Sequence, residues 1–510
     1  MDITKSFKYY DPLYDVITIK PHEISQTSGR KGWHSAILGK PIGLLENQII
    51  KILETYEMSR LNFLKQSGLA FLVFPSSTHT RFAHCLGTYY LGEMALNRSW
   101  VEVGGKLYTL RNWVEHEKGL KDEFLLSLLL HDVGHFPFSH ILENNTLFYD
   151  SELKNLLLKH EEISCDLIRG VGRFSDYKNW LIKQGFDIQN DDRFIYSKFK
   201  DVSTDPFKGT HAGIICWLID GNKENFNLYI PDESILTNKK SIRKNDLFML
   251  KRLTSGLLDL DRMDHYRRDS YFMGVKLAQF NVLSLLDDII LTEDGIKLKS
   301  DGVSHAISLL QSKEIMISDI FENPTNLAYE VMLNFCITFY INQFEDKEIE
   351  EKVNELIFLT DEELFVELSK ITDPKVRKIV FRIKNRQPYQ LVKKYERVHQ
   401  KIKDRKSLEE LKQNLFERFK HDLKNDDSLL LFRIPKGYGP KEKMKEEWLD
   451  LNLLMDEKGT FLNHHGYNRE TDYFNAKQNE GIHKFWIFLG VEDTSLREKI
   501  IAEISKEIET

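Results

Sequence analysis

The chain has 510 residues, more than one ordinary core holds, so a large domain with an appended lobe is expected, able to bury a polar site. Its 41% hydrophobic and 29% charged residues exclude fibrous and low-complexity classes, and a formal charge of -7 excludes a broad basic field for nucleic-acid backbones. Four scattered cysteines, Cys85, Cys165, Cys216 and Cys336, show no CxxC spacing and are expected as buried thiols.

The first residues, MDITKSFKYYDPLYDV, lack the basic and apolar blocks of a signal peptide. The longest apolar run, Phe124 to Leu130 broken by Ser127, is too short to span a bilayer, so a cytoplasmic location without membrane attachment is expected. Residues 7 to 20 alternate apolar and polar side chains around Asp11-Pro12, which predicts a strand or hairpin. From Leu44 onward apolar residues recur at three- and four-residue spacing, so the architecture is read as mainly α. Loops are expected over Lys20 to Ile42, Gly185 to Lys208, Ile230 to Lys240 and Ile434 to Lys443. An acid-rich shift around Glu345 to Glu355 sets the expected boundary between a core, 1–345, and an α-rich C-terminal lobe, 346–510.

Three segments supply residues suited to a metal: HTRFAHCLG with His84, LLLHDVGHFPFSH with His131 and Asp132, and LDLDRMDHYRRDS with Asp261. Two imidazoles and two carboxylates form a mixed hard and borderline set that suits Mn, Fe, Zn, Ni or Mg. The run FLLSLLL is apolar around its whole circumference and predicts a buried helix delivering His131-Asp132; a buried carboxylate needs a cation or a dense hydrogen-bond network. Two readings of the pair stand, a metal site or a helix C-cap closed by a salt bridge. His135 and His140 follow on a turn broken by Gly134 and Pro137, and His160 ends the apolar run LLLK beside Glu161. Each could act in acid–base chemistry or simply cap a helix.

Taken together, DPLYDVITI, MSRLNFLKQSG, VFPSSTHTRFAHCLG, LLHDVGHFPFSH, KHEEIS and LDLDRMDHYRRDSYFMGV resemble the HD-domain deoxynucleoside triphosphate triphosphohydrolases over about residues 10 to 275, with a fainter likeness to Lys394. The resemblance implies a helical HD phosphohydrolase core with a short N-terminal β-hairpin, and one divalent metal on His84, His131, Asp132 and Asp261. It implies that His135, His140 and His160 position the attacking water and the α-phosphate. It places phosphate and sugar contacts on Gln66, Arg81, Arg262, His265, Asp269 and Lys313. The reaction implied is hydrolysis of a deoxynucleoside triphosphate to deoxynucleoside and triphosphate by a homo-oligomer (dimer, tetramer or hexamer), in nucleotide-pool control or antiphage defence, with a nucleotide effector as a further partner.

The chain departs from the family at His265, where a Tyr usually supports the deoxyribose, at IMISDIFENP, where a Tyr pair and a His are frequent, and at Lys313, which stands for a phosphate-binding Arg. Asn62 stands near an Arg of the guanine-nucleotide activator site, so GTP activation is not implied. Two alternatives remain: an HD site acting on another nucleotide (a monophosphate, cyclic or signalling nucleotide), and a nucleotide-sensing module without turnover. The basic stretch Leu391 to Lys406 is read as a solvated helix face rather than a nucleic-acid surface.

Overall fold

The N-terminal alternation becomes an antiparallel hairpin, β1 (Phe7–Asp11) and β2 (Asp15–Ile19), in register from Phe7↔Ile19 to Asp11↔Asp15. The computed structural model describes residues 7–19, 46–143, 159–188, 192–200, 208–220, 226–230, 242–299, 301–395, 405–419, 430–433, 454–455, 485–491 and 494–509. The loops expected over Lys20 to Ile42 and Ile434 to Lys443, and most of Ile230 to Lys240, lie outside these residues. Within the loop expected from Gly185 to Lys208 a helix forms instead, Ile195–Lys200, because Phe194, Ile195 and Phe199 all bury their side chains.

The fold is mainly α. Three helices build its centre. The His84 helix, Arg81–Arg98, starts at the Thr80 N-cap, whose hydroxyl accepts from the Ala83 amide. The apolar helix, Lys121–Leu130, is buried at every position from Glu123 onward, as a helix apolar all round must be. It packs between the His84 helix and the helix Lys208–Asp220. The Asp261 helix, Leu260–Phe272, is capped by Asp259 and lies against the His84 helix. Gly87 lets those two helices close: a Cβ there would sit 2.2 Å from Asp264 Oδ1 and 2.3 Å from Arg268 Nη2.

At one side of this core runs a sheet of order β4-β3-β5-β6-β9, formed by Trp100–Val103 (β3), Lys106–Thr109 (β4), Ile289–Leu291 (β5), Ile296–Leu298 (β6) and Leu454–Met455 (β9). Helices Asp346–Phe358, Asp361–Ser369 and Pro374–Lys384 bury Val353, Ile357, Leu364, Ile379 and Ile383 in the same hydrophobic core as the helices before them. The lobe beyond also holds a sheet, Gln390–Tyr395 (β7), Phe485–Leu489 (β10) and Leu430–Arg433 (β8), antiparallel in the order β7-β10-β8. Its central strand is apolar on both faces. Trp486 and Phe488 enter the main core, while Ile487 and Leu489 join Leu415, Phe419, Ile500 and Ile504 from helices Arg405–Phe419 and Thr494–Glu509. Among the described residues no helix is long and apolar enough to cross a membrane.

Candidate metal centre

His84 lies in the first turn of its helix, His131 and Asp132 follow the last turn of the apolar helix, and Asp261 lies in the first turn of its own. Helix ends thus deliver all four side chains to one place. His84 Nε2 is 2.9 Å from Asp261 Oδ1, 3.2 Å from His131 Nε2 and 4.0 Å from Asp132 Oδ2. His131 Nε2 is 3.7 Å from both Asp132 Oδ1 and Asp261 Oδ1. Donor atoms roughly 3–4 Å apart are the spacing around a cation with bonds of about 2.1 Å.

The tautomers decide whether a cation fits. His84 Nδ1 donates to Asp264 Oδ2 at 2.8 Å, and His131 Nδ1 donates to the Leu128 carbonyl at 2.9 Å. Each ring has therefore placed its proton outward, and two Nε2 lone pairs face each other beside two carboxylates. Such a set demands positive charge between the rings. Burial opposes charge on His84, yet hydrogen bonds and field from Asp261 and Asp264 push its pKa up to about 10. The residues fit a divalent metal.

Asp132 is buried, which by itself would raise its carboxyl, but Arg81, His131 and His135 hold it well below the usual range. Its Oδ2 pairs with Arg81 Nη1, leaving Oδ1 toward the imidazoles. Arg81 is seated in turn by Ser139 Oγ and the Gln66 carbonyl. The Gln66 side-chain oxygen and Arg81 Nε are buried without hydrogen-bond partners among the described residues.

Beside this centre His135, His140 and His160 bring ring nitrogens together. His160 begins the helix His160–Arg169, rather than ending a helix as its apolar approach suggested; the residues before Lys159 lie outside those described. Glu143 joins two of the rings, accepting from His160 Nδ1 at 2.7 Å and His140 Nδ1 at 2.8 Å. Burial opposes charge on His160, but Glu161 and Glu143 raise it to about 9. His135 differs: its Nδ1 accepts from the Phe136 amide at 2.9 Å, so its proton resides on Nε2, which is buried without a partner among the described residues. Burial, Arg81 and His160 together keep this ring neutral. His135 therefore presents a donor, not a metal ligand. His160 Nε2 stands 3.8 Å from Asp132 Oδ1, so the two clusters adjoin.

The remaining expected contacts divide. Asp269 is fully buried: Oδ1 accepts from His79 Nε2 at 2.6 Å and Ser67 Oγ at 3.0 Å, and Oδ2 lies 3.0 Å from His265 Nδ1. His265 stands in front of it, its ring 6.2 Å from that of His84 and stacked on Phe321 at 5.5 Å. Arg262 Nη1 contacts the Gly256 carbonyl and lies 3.6 Å from Asp259. Lys313 is half-buried on the helix Gly302–Ile315, which packs on the Asp261 helix.

Sequence reasoning missed Asp264 and Glu143. Asp264 had a signal: Asp261, Asp264, His265 and Arg268 fall at i, i+3, i+4 and i+7, the stripe where a buried helix is normally apolar. Glu143 had a fainter one, the i, i+3 spacing from His140 in HILE.

The HD domain family matches residues 81–198, and the HD associated region matches 280–427. An HD domain-containing protein of Acanthamoeba polyphaga mimivirus is 25% identical over 410 residues, 76% of this chain and 78% of that protein. The deoxynucleoside triphosphate triphosphohydrolase SAMHD1 homolog of Dictyostelium discoideum is 25% identical over 350 residues, 68% of this chain and 57% of that protein. The chicken enzyme SAMHD1 is 25% identical over 291 residues, and the chain covers 42% of it. A hypothetical protein from Aquifex aeolicus shares the fold at a TM-score of 0.57 and 20% identity, over 98% of this chain and 100% of that one. A Bacteroides thetaiotaomicron phosphohydrolase does so at 0.57 and 18%, over 95% and 100%. The chain carries an HD domain with its associated region and resembles, among HD-domain proteins, the deoxynucleoside triphosphate triphosphohydrolases.

Proposed function

We propose that the protein hydrolyses deoxynucleoside triphosphates to deoxynucleoside and intact triphosphate. The observation that carries this reading is the pair of outward-protonated imidazoles, His84 and His131, whose Nε2 atoms face each other at 3.2 Å between Asp132 and Asp261, next to a second cluster of imidazoles. Those four residues would hold a divalent cation, Mn, Fe, Zn, Ni or Mg, which when bound would supply Lewis acidity toward a phosphoryl oxygen and a water.

In this reading His135 Nε2–H donates to a phosphoryl oxygen, the charged His160 stabilises negative charge at the α-phosphate, and His140 shares Glu143 with it. Arg81 fixes Asp132, while Arg262 and Lys313 meet the remaining phosphates. Gln66 and His265 contact the nucleoside, with Asp269 holding His265 from behind. The protein acts in the cytoplasm as a homo-oligomer, under a nucleotide effector, in nucleotide-pool control or antiphage defence. Residues 1–345 carry the phosphohydrolase site; of 346–510, the first three helices pack into the same core, and the remainder is a regulatory or oligomerising lobe.

The test is a panel of all dNTPs and NTPs, singly and in pairs, with manganese and product analysis. Triphosphate release from a dNTP is expected. Release of orthophosphate or pyrophosphate alone would overturn it and favour the second reading, another nucleotide. The polar His265, stacked on Phe321 beside His84, is the observation on that side.

A further inference from the structure

We propose that Asp361, which lies outside the HD domain, is a positioning residue of the hydrolytic site. The inference rests on the hydrolytic reading of the metal centre, not on the identity of the nucleotide.

Asp361 opens the helix Asp361–Ser369, 229 residues after Asp132 in sequence (361 minus 132) and fully buried. Both of its oxygens accept backbone amides: Oδ1 from Phe138 at 2.6 Å, Oδ2 from Lys65 at 2.8 Å. A carboxylate placed there is costly, and burial pushes it up to about 6 against the pull of those two amides. Packing alone would favour an apolar side chain.

The two amides stand next to the groups that seat Arg81. Phe138 precedes Ser139, whose hydroxyl meets Arg81 and donates to the Gln66 carbonyl at 2.7 Å; Lys65 precedes Gln66. Phe138 and Ser139 are both left-handed, at φ +52° and +66°, a conformation that non-glycine residues hold only when their surroundings impose it. Asp361 imposes it from one side. From the other, Arg60 donates to the carbonyls of Ile357, Phe358 and Leu359 in the same bend and to the His135 carbonyl at 2.9 Å. The bend 357–361 thus fixes the loop that carries His135 and Ser139 and the loop that carries Gln66, the two that seat Arg81 at the start of its helix. Asp361 itself touches no reacting atom; it acts through Ser139, Gln66 and Arg81 on Asp132.

The experiment uses the full chain with manganese, comparing wild type with Asp361→Asn and Asp361→Glu. Readouts are melting temperature, bound metal per chain, and kcat and KM on bis(p-nitrophenyl) phosphate and on a dNTP. Asn removes one acceptor, and Glu keeps the charge but moves it. Both variants are expected to melt cooperatively and hold wild-type metal, with kcat reduced at least ~10-fold and KM within about threefold, since an ångström of misplacement costs up to ~100-fold in rate. Full kcat in either folded variant, loss that tracks lost metal, or failure of both variants to fold would overturn the proposal. A wild type that cleaves the aryl diester but releases no triphosphate from any dNTP overturns the substrate reading alone.

Discussion

Asp264 grips the far edge of His84, Oδ2 2.8 Å from Nδ1, and Arg268 holds the same carboxylate through Nε at 2.8 Å and Nη2 at 2.9 Å. Tyr14 adds a hydroxyl to Oδ1 at 2.8 Å, and Asp11 pairs with the remaining face of Arg268 at 2.7 Å. The His84 imidazole is thereby fixed in tautomer and orientation by a buried chain of charges.

Asp264→Asn keeps the shape but halves the acceptor, so metal affinity is expected to fall roughly 10–100-fold. Metal titration of the purified variant checks this, and an unchanged dissociation constant would contradict it. Asp264→Ala should in addition cost about 3–5 kcal/mol, because Arg268 is fully buried and loses its main partner.

Asp132→Ala removes a donor to the cation and the partner of Arg81 together. Hydrolysis should fall at least ~1000-fold with loss of bound metal, as for other groups whose role is realised only in the assembled site. Chelation of wild type should likewise abolish turnover and lower the melting temperature, since a ligand at 100 times its dissociation constant stabilises by about 2.7 kcal/mol. A chelated protein that melts as the loaded one does would speak against the site.

Gly134 lies where the histidine loop crosses the helix His160–Arg169. A Cβ there would sit 2.4 Å from the Ser164 amide nitrogen and 2.7 Å from the His160 carbonyl, both backbone atoms that cannot turn aside. Gly134→Ala should therefore lower stability by about 2–4 kcal/mol and displace His160 from Asp132. Thermal melts and activity measured together check this; a variant with native melting and native rate would refute the packing described.

Glu57 supplies the pH prediction. Burial drives its carboxyl from the ordinary 4.5 up to about 8, although the Ile195 amide approaches both oxygens at 3.3 Å. The fold then keeps a proton that the unfolded chain releases, so this stabilisation is full below about 4.5 and is lost as pH rises through about 8. At ~1.4 kcal/mol per pH unit the change amounts to several kcal/mol. Glu57→Gln should melt above wild type at pH 9 and lose that advantage at pH 5. Parallel melting curves across this range would rule the assignment out.

The fold class was legible because the apolar helix Lys121–Leu130 and the hairpin alternation are local patterns. The candidate metal ligands were legible only as fragments. Nothing local joins His84 to Asp261, and their meeting depends on the close helix crossing at Gly87. Asp361 and the sheet strand β10 depend on partners tens to hundreds of residues away, so no window of sequence could assign them. Asp269 shows the opposite case: its place after the last ligand suggested a substrate contact, whereas His79, Ser67 and His265 enclose it.

The hairpin has a practical consequence for anyone making this protein. Asp11 neutralises one side of Arg268 and Tyr14 binds one oxygen of Asp264, so the opening strands are wired to the candidate metal ligand His84. A shortened version starting at the helix Glu46–Leu53 would keep every ligand and most of the apolar core, and could still be produced as folded material. It would nevertheless bind metal poorly, and inactivity in such a preparation would reflect the missing hairpin rather than the chemistry of the site.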